Sequence, residues 1–427
     1  QNIVTPESVG LDSKVLNNIS SYLEETYINP GKLIGTITLV ARNGEIAYLE
    51  SLGMMDREKK RPMEENAIFR IFSMTKPITS IALMQLYEKS LFRLDDPVHW
   101  YIPSWKNLKS YQSGKYPNFK TKTPENHMTI KDLLSHQSGL TYGFSQKTEV
   151  DKAYREKGIG RMESLHTNQT LKDMINLLSE VPLEFSPGSS WNYSVSTDVL
   201  GYLIELISDM PFDTFLKEKI FEPLNMNDTG FYVSKNKLNR FAANYIFNDG
   251  KELGDSMSLV NKDTKESGPP ILIEDPMISP YSKNPAFFSG GAGLVSTIDD
   301  YLNFCIMLLN KGSYENHQIL SKNTVNLMTN NQISGKKDLL ETASGRWSET
   351  TYAGIGFGLG FQILLDPVKS QITSSKGEYG WGGAASTVFW VDPKEDLITI
   401  FLTQLVPSSA YNIRRELRTL VYSSINN

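Results

Sequence analysis

At 427 residues, with 40% hydrophobic and 21% charged side chains, the chain is long enough for two or more lobes around a large core and has an ordered globular composition. Its net charge of −5 comes from 43 basic and 48 acidic residues mixed along the chain, so no basic patch points to nucleic acid. No apolar run is long enough for a membrane span, and the single cysteine, Cys305, excludes an intramolecular disulfide.

Residues 12–27 read as an amphipathic helix capped by Asp12. Two strands, Gly35–Ala41 and Glu45–Glu50, flank Arg42-Asn43-Gly44, a hairpin whose Asn-Gly pair suits the positive φ angles of a tight turn. After a loop comes Ile71-Phe72-Ser73-Met74-Thr75-Lys76-Pro77-Ile78-Thr79, running into Ser80–Tyr87. This helix is apolar on nearly every face and therefore buried. Residues 94–128 look irregular. Thr129 caps a short helix ending at Gly139, with His136 in its last turn, and 143–170 reads as a polar, mobile loop near a pocket mouth. Leu171–Glu180 is helical, and a turn-rich loop from Phe185 to Ser194 leads to a helix patterned by Val199, Leu200, Leu203, Ile204 and Ile207. A further helix and turn occupy 212–232, and 247–285 carries little pattern. Ile298–Asn310 is a helix that places Cys305 in the core. Strands return at Gly358–Leu365, Ala385–Val391 and Leu397–Thr403, and Ser409–Ser423 closes the chain as an amphipathic helix. There are no internal repeats.

Strands at both ends with helical material between them predict an α/β (α+β) fold with a mainly antiparallel sheet flanked by helices. The expected division is residues 1–72 together with 286–427 as the sheet region and 73–285 as a mainly helical region with variable loops. The two form a single catalytic unit with the site between them.

Ser73 and Lys76 lie three residues apart and share a helix face. An ammonium inside an apolar wall is disfavoured, which lowers its pKa and makes the amine a usable base for a neighbouring hydroxyl. The plainer alternative makes Ser73 a helix cap. Ser-x-x-Lys also occurs at Ser234/Lys237 and Ser334/Lys337, in polar stretches with no buried helix behind them. Tyr193 is a second candidate, provided that cationic neighbours lower its phenol pKa; otherwise it packs a loop beside Trp191. Trp381-Gly382-Gly383, before Ala384 and a strand, offers paired glycines that let backbone N–H groups approach a carbonyl, or else a glycine turn. His136 reads as structural rather than as a base. The five histidines are scattered with no His-Glu-x-x-His pair, no nucleotide-binding glycine motif occurs, and Gly-x-Ser-x-Gly is absent. No cofactor or metal is expected.

These stretches together resemble the serine β-lactamase and penicillin-binding-protein superfamily, in its class C β-lactamase-like branch that includes family VIII carboxylesterases. The resemblance rests on Ser73-Met74-Thr75-Lys76, Leu133–Leu140, Phe185–Gly188 with Trp191–Ser194, Gly290–Thr297 and Trp381–Gly383, in order across roughly residues 5–425. It implies Ser73 as nucleophile, Lys76 as its base, Tyr193 as the second-motif tyrosine, and the backbone N–H groups of Ser73 and Ala384 as an oxyanion hole. Where lactamases carry Lys-Thr-Gly this chain has Trp381, Gly382 and Gly383, so a substrate carboxylate loses a charge-assisted anchor and an indole wall favours a neutral group. Where they carry Tyr-x-Asn, Val195 stands in place of the amide. Both departures favour hydrolysis of small esters through an acyl-enzyme. The alternatives are a D-amino-peptidase, amidase, transacylase or weak β-lactamase on the same scaffold, and a penicillin sensor that acylates without turnover. The partner is a small-molecule ester or amide. The sequence leaves oligomeric state open. It begins at Gln1 rather than methionine, so the compartment stays open between cytoplasm and, after signal-peptide removal, periplasm or exterior.

Overall fold

The strands from the two ends of the chain join in one sheet. The computed structural model describes residues 3–250, 268–345 and 352–426. Eight strands run in the spatial order 355–357, 362–364, 379–382, 388–392, 397–402, 35–42, 45–56 and 61–62. Every neighbouring pair is antiparallel. The ends meet where Gly35–Arg42 pairs with Leu397–Leu402, with Ile37 opposite Leu402 and Arg42 opposite Leu397. Asn43 and Gly44 take φ angles of 55° and 80°, as the hairpin requires.

Alternation along the central strands builds three layers, because successive side chains leave a strand on opposite faces. Leu397 and Phe401 cluster with Leu16, Ile19, Leu417 and Val421 of the terminal helices Ser13–Leu23 and Ile413–Ser423. Ile398, Ile400 and Leu402 belong to the larger core on the other face, where Ile298–Leu309 packs on the sheet. Asp12 caps the first helix by accepting from the Val15 N–H at 3.1 Å. Cys305 is buried within Ile298–Leu309, where burial pushes its thiol pKa well up.

Between the ends, Thr75–Glu88 is buried at nearly every position and packs against Ser196–Ser208. Ile130–Leu134 and Leu171–Leu178 pack on that second helix in turn.

Several boundaries differ from expectation. Residues 94–128 contain the hairpin Ser110–Lys115 with Asn118–Lys122, whose mostly exposed strands offer no apolar alternation to read. The loop 143–170 contains a helix, Glu149–Glu156, started by a capping box of Thr148 and Asp151. The helix after Thr129 ends at Leu134, because the backbone has turned left-handed by His136, at φ 55°. The strand expected at 358–365 is two strands, Ile355–Phe357 and Gln362–Leu364, parted by a turn in which Gly360 has φ 94°. Within 247–285, residues 251–267 lie outside the described residues, and Ile271–Glu274 is a strand paired with Asn244–Ile246. Among the described residues no helix is long and apolar enough to cross a membrane.

Candidate active site

Ser73 is not a helix cap. It sits in a single 3₁₀ turn, Phe72–Met74, that leads into the buried helix Thr75–Glu88. Phe72 has φ 39°, an angle that costs energy for any residue with a Cβ and persists only where neighbours enforce it. The enforcement comes from the 294–301 segment. Ile71 N–H donates to the Leu294 carbonyl and Leu294 N–H to Thr75 Oγ1, each at 3.1 Å, and the Tyr301 hydroxyl donates to the Met74 carbonyl at 2.9 Å.

Lys76, one turn on, is 1% exposed. Its Nζ lies 3.2 Å from Ser73 Oγ and 2.7 Å from the Gly291 carbonyl oxygen. The other two Ser-x-x-Lys pairs form no such contact. Ser234 donates to Asn236 while Lys237 pairs with Asp228, and Ser334 donates to Gln137.

Tyr193 approaches the same oxygen from a different element, its hydroxyl donating to Ser73 Oγ at 2.6 Å. The loop carrying it is tied down by Asn192 N–H on the His136 carbonyl at 2.9 Å and Val195 N–H on the Thr141 carbonyl at 3.2 Å. Its ring packs among Trp191, His136, Tyr142 and Trp381, and the Trp381 indole N–H donates to its hydroxyl at 3.3 Å. Tyr193 thus packs its loop and also reaches Ser73. His136 supports the Tyr193 ring and holds Ser194 Oγ at 3.2 Å through Nδ1. Burial first, and the Lys76 charge second, keep its imidazole pKa well below the usual range.

Burial pushes the Lys76 pKa down to about 7, against the opposing pull of the Asp198 charge. The amine is therefore substantially neutral near pH 7. The Tyr193 phenol moves the other way from the sequence expectation. Burial raises its pKa despite the bonds to Ser73 and Trp381, because desolvating a phenolate outweighs them.

Asp198 was not singled out from the sequence. It is buried in the first turn of Ser196–Ser208, where an acidic residue ordinarily reads as a favourable helix-dipole partner. No local pattern marks it, since the residues that share its helix face are Gly201, Tyr202 and Glu205. Its Oδ1 accepts from Ser289 Oγ at 2.5 Å and from Gly291 N–H at 3.0 Å.

The third motif is itself a strand, Tyr379–Gly382. Its glycines each have a packing reason of their own. A Cβ on Gly382 would collide with the Arg414 guanidinium, and one on Gly383 would lie 2.5 Å from the Ile71 carbonyl oxygen. The absence of a side chain at Gly383 lets this strand end close against the turn that carries Ser73. Ser73 and Ala384 accordingly line one cavity of about 40 Å³, walled by Phe144, Met162, Leu165, Met174 and Phe287. Arg161 also lines it, ion-paired to Glu163 at 3.4 Å. A roomier hollow of about 520 Å³, bordered by Lys217, Phe231, Tyr232 and Lys237, touches none of these groups. Among the described residues there is no group of three or more His, Cys, Asp or Glu placed to hold a metal ion.

The Beta-lactamase family profile matches residues 23–423. Similar proteins include an uncharacterized protein of Mycobacterium tuberculosis, 31% identical over 380 residues, spanning 88% of this chain and 87% of that one. Esterase EstB of Burkholderia gladioli is 28% identical over 405 residues, spanning 93% of each chain. Among solved structures, EstCE1, described as a hydrolase with promiscuous acyltransferase activity, is 27% identical and superposes with a TM-score of 0.77 over 96% of this chain and 99% of its own. With its mixed α/β architecture and large antiparallel sheet, the chain belongs to the beta-lactamase family and is a serine hydrolase.

Proposed function

We propose that the protein hydrolyses small carboxylic esters through an acyl-enzyme on Ser73, at the junction of the sheet region (1–72 with 286–427) and the helical region (73–285). The observation that carries this reading is the convergence of Lys76 Nζ and the Tyr193 hydroxyl on Ser73 Oγ, at 3.2 and 2.6 Å, beside a small apolar cavity. Lys76, with its pKa near 7, takes the Ser73 proton as Oγ attacks the ester carbon. The backbone N–H groups of Ser73 and Ala384 hold the oxyanion. As the C–O bond to the alcohol breaks, the neutral Tyr193 phenol protonates the leaving oxygen and is reprotonated by the Lys76 ammonium. Water then attacks the acyl carbon, yields its proton to Lys76, and the proton returns to Ser73 as the acid leaves.

Ester rather than lactam chemistry is favoured by the third motif, where Trp381 stands in place of a cation and its indole contacts Tyr193. The names of the relatives EstB and EstCE1 agree with this reading. The test is steady-state hydrolysis of short p-nitrophenyl esters against nitrocefin, for the native protein and Ser73→Ala. Ester turnover that disappears in Ser73→Ala, with little nitrocefin hydrolysis, is expected. Nitrocefin cleaved faster than the esters, or ester turnover surviving the substitution, refutes the proposal.

A further inference from the structure

We infer that Asp198 is a positioning residue for the Lys76 base, holding the Gly290–Gly291 turn beneath the amine and supplying the counter-charge for the ammonium that forms when Ser73 attacks. This rests on the esterase reading and extends it to a group that none of the sequence motifs singled out. The connection is a short chain of bonds. Asp198 Oδ1 accepts from Gly291 N–H at 3.0 Å, and the carbonyl of the same Gly291 accepts from Lys76 Nζ at 2.7 Å. Ser289 Oγ steadies the carboxylate at 2.5 Å and itself accepts from Ala292 N–H at 3.0 Å.

The turn is built around this contact. A Cβ on Gly291 would lie 3.0 Å from Asp198 Oδ2 and 3.2 Å from the Tyr142 hydroxyl, and one on Gly290 would lie 2.6 Å from the Thr197 carbonyl oxygen. Thr79, on the helix that carries Lys76, donates to the Gly290 carbonyl at 2.8 Å. Two elements thus clamp the turn, the Lys76 helix from one side and the Asp198 helix from the other.

Charge explains why a carboxylate stands here. Lys76 is enclosed by aromatic faces, its Nζ 4.5 Å from the Tyr193 ring centroid and 5.2 Å from that of Tyr142. Among the titratable groups facing it, His136, Tyr142 and Tyr193 are all held neutral near pH 7, since burial lowers the first and raises the other two. Arg414 acts on Tyr193 as a further cation. Asp198 is the carboxylate of this set; burial raises its own pKa while the bonds from Ser289 and Gly291 N–H and the Lys76 charge favour its ionised form, and its charge opposes the burial that would otherwise depress the Lys76 amine further. Without it the base would be weaker and the ammonium uncompensated.

The test follows the second-order rate at which a fluorophosphonate labels Ser73 as a function of pH, for the native protein, Asp198→Asn, Asp198→Ser and Ser289→Ala. This readout reports the nucleophile directly and does not depend on which ester is the substrate. In the native protein the rate rises as Lys76 loses its proton, levelling off above about pH 7. In Asp198→Asn, which keeps an acceptor for Gly291 N–H, the rising limb moves to lower pH by about one unit or more and the plateau falls. Asp198→Ser, also neutral, shows the same shift and serves if one of the pair folds poorly. Ser289→Ala keeps the carboxylate and removes only a hydrogen bond to it, so the limb moves less than in the two neutral variants. A lower plateau with an unmoved limb in the neutral variants shows a scaffold role alone and overturns the inference while leaving the esterase reading intact. Failure of the probe to label Ser73 in the native protein overturns the esterase reading instead.

Discussion

Lys76→Met removes the proposed base and the buried charge together, and the two effects have opposite signs. Activity is lost, because Ser73 retains no proton acceptor at 3.2 Å. Folding stability responds to the cost of enclosing the amine. In the folded chain the Lys76 pKa is about 7 against a usual value of 10.5. The folded value is the lower one, so the penalty is complete below about pH 7, where both states are protonated, and fades as pH rises towards 10.5, where both are neutral. At about 1.4 kcal/mol per pKa unit, the penalty is about 4 kcal/mol at pH 7 and about 2 kcal/mol at pH 9. Methionine, a thioether of similar length, escapes it but forfeits the bond to the Gly291 carbonyl and leaves Asp198 without its cation. The lost hydrogen bond is the same at both pH values and cancels in the comparison, while the attraction between Lys76 and Asp198 is already contained in the Lys76 pKa. Urea unfolding of the native protein and Lys76→Met should therefore show the variant's relative stability larger at pH 7 than at pH 9 by about 2 kcal/mol. A stability difference that does not change between the two pH values would show that Lys76 is not an enclosed, depressed amine, and the assignment of the base would fail with it.

Two further substitutions probe the surroundings. Gly383→Ala places a methyl group 2.5 Å from the Ile71 carbonyl oxygen, so it should cost about 2 kcal/mol in thermal or urea unfolding and lower kcat by displacing the Ala384 N–H; native stability with native kcat would show that the strand end has room to spare. Met174→Trp fills much of the cavity beside Ser73, so kcat/KM for butyrate and longer p-nitrophenyl esters should fall about tenfold relative to acetate; an unchanged chain-length profile would place the acyl group elsewhere.

The architecture was legible where the pattern is local and apolar. The Asn43-Gly44 turn, the buried run after Ser73 and the strand Leu397–Leu402 state their environments directly, because burial on one or more faces demands apolar side chains in a readable period. The hairpin 110–122 and the helix Glu149–Glu156 were not read. The first is mostly exposed, and the second is a short polar helix announced chiefly by its Thr148 cap.

Within the site, the sequence by itself determined that Ser73 and Lys76 meet, since residues three apart near a helix start face one way, and that the lysine lies in an apolar setting that weakens its hold on a proton. Only the tertiary structure decided the rest. It brings Tyr193 to the same oxygen across 120 residues of chain and places the Gly291 carbonyl under the amine. It sets Asp198 behind that carbonyl and shows that Gly383 is glycine because a neighbouring turn leaves no room for a Cβ. It also reverses the expected shift at Tyr193, because desolvation depends on what encloses the ring from every side, and Trp191 on its own loop is joined there by His136 and Tyr142 from one distant stretch and Trp381 from another.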